Sequence, residues 1–396
     1  MIARNMKSRL TEGAPIRQVY EEGLRLKKQF GADSVFDFSI GNPNLKPPEA
    51  VRRAVLALTQ SDEDLHGYME SAGYPDVRQL IAESLNRRFA TSLNGRNVLM
   101  TAGAAGGINV ILNALFDPGD ELLVFAPFFC AYRGYAANVG ANLVTVCPQT
   151  DFQPDIADFQ NKLTPKTKAV LMNSPNNPAG VVYSEETICA LASVLNEKQQ
   201  EYGHAIYLIS DEPYRELVYG TATVPYVTPY YENTIVVYSF SKTLSLAGER
   251  IGYAVIPDEV WDGKELMQAA GVATNMLGFV NAPSLFQKVV AACLEEKVDI
   301  GYYDRNRIAL YENLKQLGFE MAKPEGAFYL FLKTPCEEQE FLSYARELNL
   351  LFVGGSVFGC PGYVRISFCV SYETILNSLK AFQKLSETLN LRKQAT

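Results

Sequence analysis

Short apolar runs alternate with helical stretches through most of the chain. Candidate strands lie at Asn97–Thr101, Glu121–Ala126, Ala141–Cys147, Ala169–Asn173, Ala205–Ser210, Thr234–Ser239 and Ile251–Ile256. Several are nearly continuous in Val, Ile, Leu and Tyr, the pattern of strands buried on both faces. Between them run helical patterns such as Gly106–Leu115 and Glu185–Gln200. Such alternation predicts an α/β fold with a mainly parallel sheet between helices. The ends read differently. Ile16–Phe30 is an amphipathic helix and Val35–Ile40 a short strand leading into Gly41-Asn42-Pro43. After about residue 285 comes a long helical region, then a strand at Phe328–Leu332, a helix at Gln339–Leu348, a strand at Val364–Ser367 and a closing helix at Tyr372–Leu389. The expected organisation is a large α/β domain over 46–285 and a smaller α+β domain built from both termini, 1–45 and 286–396.

Composition narrows the function classes. The 396 residues are 47% hydrophobic and 20% charged, which excludes disordered, collagen-like and coiled-coil chains. A formal charge of −8 gives no global positive field for nucleic acid or an anionic membrane. Seven cysteines at wide spacings, with no C-x-x-C pair, argue against a disulfide framework or a zinc site. Only His66 and His204 are present, so a histidine-rich metal site is excluded by count. The charged N-terminus lacks a signal-peptide core, and no run of 18 apolar residues occurs. A soluble cytoplasmic enzyme is expected.

The chemistry concentrates in Ser239-Phe240-Ser241-Lys242-Thr243-Leu244-Ser245-Leu246-Ala247-Gly248-Glu249-Arg250-Ile251-Gly252. A strand runs into a turn of small polar residues carrying a lysine, and an arginine follows eight positions later. A lysine after a strand is ordinarily solvated. Lys242, however, follows a buried-looking strand on the side where open α/β sheets bind ligands. Desolvation and a neighbouring cation both favour the neutral, nucleophilic amine. Lysine, serines and arginine together describe a site for a carbonyl-bearing phosphate ester, pyridoxal 5′-phosphate held as a Schiff base.

With these residues, and with motifs in matching order from Ile40-Gly41 to Arg365, the chain resembles the class-I/II aminotransferases, fold-type-I pyridoxal-phosphate enzymes that include the aspartate aminotransferases. The resemblance implies roles for residues that alone read as turns or core. Asp211, after the strand AIYLIS, corresponds to the acid that pairs with the pyridine nitrogen and keeps the ring an electron sink. Tyr214 and Asn177, the latter in Asn176-Asn177-Pro178, correspond to groups bonding the ring's phenolic oxygen. Gly103, Ala104 and Ala105 match a phosphate-binding turn at a helix N-terminus, completed by Ser239, Ser241 and Arg250. Phe129, in Pro127-Phe128-Phe129-Cys130-Ala131-Tyr132, matches the aromatic stacked on the ring. Tyr68 matches a tyrosine reaching the phosphate of a neighbouring subunit, which implies a homodimer with shared sites. Arg365, in Val364-Arg365-Ile366, matches the arginine that grips the substrate α-carboxylate bidentately, with Gly41 adding a backbone N–H. The chain departs from the family pattern at Gly354-Gly355-Ser356-Val357-Phe358-Gly359.

The implied function is amino-group transfer between an amino acid and a 2-oxo acid, with Lys242 as proton carrier and ping-pong kinetics. A C–S lyase or decarboxylase on the same scaffold, and more remotely an effector-binding module, are the other readings. The substrate stays open. Some aspartate-specific relatives place a lysine where this chain has Ala105.

Overall fold

The computed structural model describes residues 2–3, 6–7 and 15–391. The parts of the expected terminal domain at residues 1, 4–5, 8–14 and 392–396 lie outside the described residues. Strands in chain order are β1 (Phe36–Asp37), β2 (Val98–Thr101), β3 (Glu121–Phe125), β4 (Asn142–Val146), β5 (Thr167–Asn173), β6 (Tyr207–Asp211), β7 (Thr234–Ser239), β8 (Gly252–Val255), β9 (Tyr329–Lys333), β10 (Leu350–Leu351), β11 (Val353–Gly354) and β12 (Tyr363–Ser367). Strands β2 to β8 form one sheet in the order β2-β8-β7-β6-β5-β3-β4. Its pairs are parallel except those of β8, which is antiparallel to both β2 and β7. These are the seven strands expected in this part of the chain, with ends displaced by at most two residues.

Successive side chains of these strands enter different helical layers. Leu122 and Val124 pack with helices Gly103–Leu115 and Gly263–Met276. Leu123 and Phe125 pack with Leu191 and Leu195 of helix Glu185–Tyr202. That helix starts where the Ser184 side chain accepts from the Thr187 N–H, and it stops at Gly203 with φ 74°. Farther along the sheet, Val98, Met100, Val236 and Val255 pack with helices Glu49–Thr59, Pro75–Phe89 and Ser284–Ala291. A second core holds Phe38, Leu310, Phe341, Phe352 and Phe382. It lies among the antiparallel sheet β11-β12-β9 and helices Ile300–Gln316, Glu338–Glu347 and Tyr372–Thr388. Val289, Val290 and Cys293 still belong to the core under the large sheet, and the second core resumes at Val298.

Three elements differ from the sequence reading. The strand expected over Val35–Ile40 contracts to β1, paired in parallel with β10. Asp37 Oδ1 accepts from both the Ser39 N–H (3.1 Å) and the Ser39 hydroxyl (2.6 Å), and this local bonding turns the chain out of the sheet. The helix expected from Gly106 begins at Gly103, so the glycine-rich turn is its first turn. The long helical region after 285 is two helices, the second capped by Asp299. Among the described residues, no helix is long and apolar enough to cross a membrane.

Candidate active site

The segments carrying the candidate residues follow β2, β3, β5, β6 and β7 and so emerge at the carboxyl edge of the sheet, where open α/β sheets form their crevice. Strand β8 runs the other way, which brings its beginning to the same edge. Gly252 pairs with Thr101 on one side and Ser239 on the other, delivering Arg250 beside the turn after β2. The approach is close, and the backbone there is left-handed, which favours glycine. Gly103 has φ +70°, and a Cβ there would lie 2.6 Å from Arg250 Nη2.

One end of the resulting cavity is built for an anion. Helix Gly103–Leu115 has no side-chain cap, leaving the first-turn N–H groups of Gly103, Ala104 and Ala105 as donors. The Ser239 and Ser241 hydroxyls lie 2.7 Å apart. The Arg250 side chain donates to the carbonyls of Ala247 (3.1 Å) and Ala102 (3.3 Å) and stays exposed.

The middle holds an acid and an amine. Asp211, at the end of β6, is buried and its carboxyl is pushed up to about 7. Burial is the main cause; the Glu212 charge adds to it, and a hydrogen bond from Tyr132 opposes it. The Tyr132 hydroxyl donates to Asp211 Oδ2 at 2.5 Å, while Oδ1 is buried with no partner. Lys242 follows the short cap in which Ser239 Oγ accepts from the Ser241 N–H. Its Nζ donates to the Gly41 carbonyl at 2.8 Å and stands 5.2 Å from the Phe328 ring centre. Burial lowers the ammonium to about 8; Cys369 opposes this and the charges of Arg365 and Arg250 reinforce it.

At the other end Arg365, only 2% exposed, has neutral acceptors alone. Nη1 donates to Asn177 Oδ1 (3.0 Å), Nη2 to the Ser39 carbonyl (2.5 Å), and Nε is buried without a partner. The guanidinium lies between the rings of Tyr329 (4.7 Å) and Phe358 (4.8 Å). Phe358 belongs to the departing glycine-rich loop. That loop is tied down by Glu338, whose carboxylate accepts from the Ser356 N–H and hydroxyl and the Gly362 N–H.

A single cavity of about 360 Å³ brings together Gly41, Ala104, Ala105, Phe129, Asn177, Asp211, Tyr214, Ser239, Ser241, Lys242, Arg250 and Arg365. Gly103 stands behind Arg250. Tyr68 does not line this cavity; it is 91% exposed. Sequence reasoning gave no role to Tyr132, Tyr329 or Asn173. Tyr132 closed the aromatic motif and Asn173 opened the asparagine turn, where its Oδ1 accepts from the Asn177 N–H and its Nδ2 donates to the Asp211 carbonyl. Tyr329 carried no signal beyond its place in a strand. Among the described residues, no cluster of His, Cys, Asp or Glu could hold a metal.

Three features fit pyridoxal 5′-phosphate: an anion cup, a buried carboxyl oxygen without a partner where a ring N–H can donate, and a lysine whose ammonium burial weakens, in the same cavity. Comparison with known proteins agrees. The family model "Aminotransferase class I and II" matches residues 33–382. The aspartate aminotransferase of Thermotoga maritima is 29% identical over 98% of this chain and 100% of its own length. The aspartate/prephenate aminotransferase of Thermus thermophilus is 32% identical over 93% and 94%. Among solved structures, an amino transferase from Eubacterium rectale superposes with a TM-score of 0.95 at 43% identity, covering 98% of this chain and 100% of that one. The maleate complex of the Thermus thermophilus aspartate aminotransferase gives a TM-score of 0.84 at 28% identity, over 94% and 96%.

Proposed function

Because the chain belongs to the class I and II aminotransferases, and is a pyridoxal 5′-phosphate-dependent transaminase acting on an amino acid and a 2-oxo acid, we propose that its cavity divides the work among the residues named above. The carrying observation is that two buried polar atoms, a carboxyl oxygen at Asp211 Oδ1 and a guanidinium nitrogen at Arg365 Nε, lack partners in one cavity that also holds Lys242.

The cofactor, when bound, supplies a carbonyl that takes up the amino group and a protonated ring that draws off electron density. The N–H groups of Gly103, Ala104 and Ala105, the Ser239 and Ser241 hydroxyls and Arg250 hold its phosphate. Asp211 Oδ1 accepts the ring N–H, and that positive partner ionises a carboxyl which its surroundings, chiefly burial, otherwise keep protonated up to about 7. Phe129 covers the ring face and excludes water. Arg365 occupies Asn177 Oδ1, so the Asn177 amide N–H groups and the Tyr214 hydroxyl serve as donors to the phenolic oxygen. Arg365 grips the substrate α-carboxylate, with the Gly41 N–H beside it. Lys242, half neutral near pH 8, leaves the Gly41 carbonyl to carry a proton to and from the substrate α-carbon.

The cavity is also lined by Ile16, Ile40, Ala105 and Ile108, and its cations, Lys242, Arg250 and Arg365, already have roles. This supports an amino donor with an uncharged side chain, although several relatives are named for aspartate. The two cores support a large and a small unit, with residues 284–293 on the large side. Tyr68, Val272, Met276, Phe279 and Val280 are exposed. Bonds from Asn275 to Ser71 and from Asn281 to Glu70 draw them into one surface beside the phosphate turn. That surface supports a homodimer in which Tyr68 reaches the partner's phosphate. The seven free cysteines support a cytoplasmic location.

The test mixes holoenzyme with single amino acids and follows the cofactor's absorbance. Donors with apolar side chains convert it at least about tenfold faster than aspartate, one decade being the scale of a single mismatched polar group. Lys242→Ala abolishes the parent band. Faster conversion by aspartate overturns the side-chain assignment, and an unchanged band in the variant overturns the role of Lys242.

A further inference from the structure

The Tyr214 hydroxyl lies 2.9 Å from the hydroxyl of Tyr329, and both side chains are buried. Each phenol has one proton, and the bond between them uses one of the two. If Tyr214 donates to Tyr329, its only proton is spent inside the protein. If Tyr329 donates, the Tyr214 proton is left to point into the cavity. Which way the bond runs follows from relative acidity, because the stronger acid of a hydroxyl pair is the better donor. The Arg365 guanidinium lies 4.7 Å above the Tyr329 ring and stabilises negative charge on that phenol. Burial lifts both hydroxyls and the Arg365 charge opposes the rise in each, but of the two rings only that of Tyr329 lies under the guanidinium. Tyr329 is further fixed from the other side, where a side chain on Gly41 would overlap its ring and hydroxyl.

We propose that Tyr329 is a positioning residue of this transaminase: its hydroxyl donates to Tyr214 and thereby directs the Tyr214 proton toward the cofactor's phenolic oxygen, while its ring carries Arg365. The inference rests on the role given above to Tyr214. It also links the two ends of the substrate site through one side chain of β9.

The experiment titrates the absorbance of the holoenzyme against pH, a readout independent of turnover. A donor that stabilises the anionic phenolic oxygen keeps the titration low, so losing its alignment raises it. Tyr329→Phe keeps the ring and moves the midpoint up by about half a unit to one unit, the scale of one hydrogen bond. Tyr214→Phe moves it in the same direction and farther. With Tyr329→Phe the amino-acid KM stays within about twofold, whereas Tyr329→Leu, which removes the face under Arg365, raises it roughly tenfold. Incorporating 3-fluorotyrosine at position 329 strengthens the donor without removing an atom and lowers the midpoint. A parental midpoint in both Tyr329→Phe and the fluorinated protein, with Tyr214→Phe shifted, overturns the proposal alone. A parental midpoint in Tyr214→Phe overturns the underlying role of Tyr214 as well.

Discussion

The two anion-binding ends of the cavity are built on opposite plans. At the phosphate end the donors belong to two short stretches, 103–105 and 239–250, and Arg250 is exposed and bonded to carbonyls of its own neighbourhood. At the carboxylate end Arg365 is enclosed, and it takes its neutral partners from Ser39 and Asn177, 326 and 188 positions away in the chain. An exposed cation loses little when its ligand departs. A buried one with an idle Nε gains a great deal when a carboxylate arrives, because the desolvation cost has already been met by the fold. The first plan suits a resident group held by many modest contacts, the second a substrate that must exchange at every half-reaction.

Separate perturbation of the ends tests this contrast. The largest effect is expected from Arg365→Leu, which removes the charge. By the scale of a truncated buried pair, about 2–5 kcal/mol, kcat/KM for the amino acid falls by roughly one and a half to three and a half orders of magnitude. Cofactor affinity, measured by absorbance titration of the apoprotein, stays at the parent value. A parallel fall in both would mean that the ends do not act separately. Gly103→Ala comes next. Left-handed backbone at φ +70° costs a side chain about 1–2 kcal/mol, and the new methyl pushes on Arg250. Cofactor affinity drops about tenfold while the amino-acid KM of the loaded enzyme is unchanged.

The smallest effect concerns the cofactor-free protein. Asp211 has a folded pKa of about 7, raised above its ordinary value of 3.8. A raised folded pKa gives stability that is complete below the unfolded value and disappears as pH climbs through the folded one. Denaturant unfolding at pH 5 and pH 8 therefore shows less stability at the higher pH, and the difference shrinks in Asp211→Asn. Saturation with cofactor also shrinks it, because the ring N–H then favours the ionised carboxylate. An undiminished difference in Asp211→Asn assigns the slope to other groups.

The contrast between the ends also accounts for what the amino-acid order reveals. Residues 239–250 and 101–107 carry their chemistry in contiguous turns between runs of strand period, so the cup can be read along the chain. The strands of the large sheet are similarly legible, most because both faces are buried and the apolar runs nearly unbroken, and the half-buried edge strand β4 because its Leu and Val positions still mark it. Tyr329 is different: its importance comes from facing Tyr214, Gly41 and Arg365 at once, and its flanking residues would look the same in any core strand. Tyr132 lies between these cases, visible in a motif whose purpose emerges only when its hydroxyl meets Asp211. The contraction of the strand over 35–40 has a local cause, the Asp37 carboxylate competing for the Ser39 N–H, which period-two patterning does not register.

In the cofactor-free protein the Lys242 amine rests on the Gly41 carbonyl, and this has a kinetic consequence. Storage against a carboxylate would hold the nitrogen as an ammonium, and pulling it away would break an enclosed ion pair worth about 3–5 kcal/mol. A peptide oxygen also accepts from the uncharged amine, more weakly than from the ammonium, and releases it for about 1 kcal/mol. The nucleophile is thus kept aimed, its ammonium weakened to about 8 by burial, behind a latch that thermal motion can open.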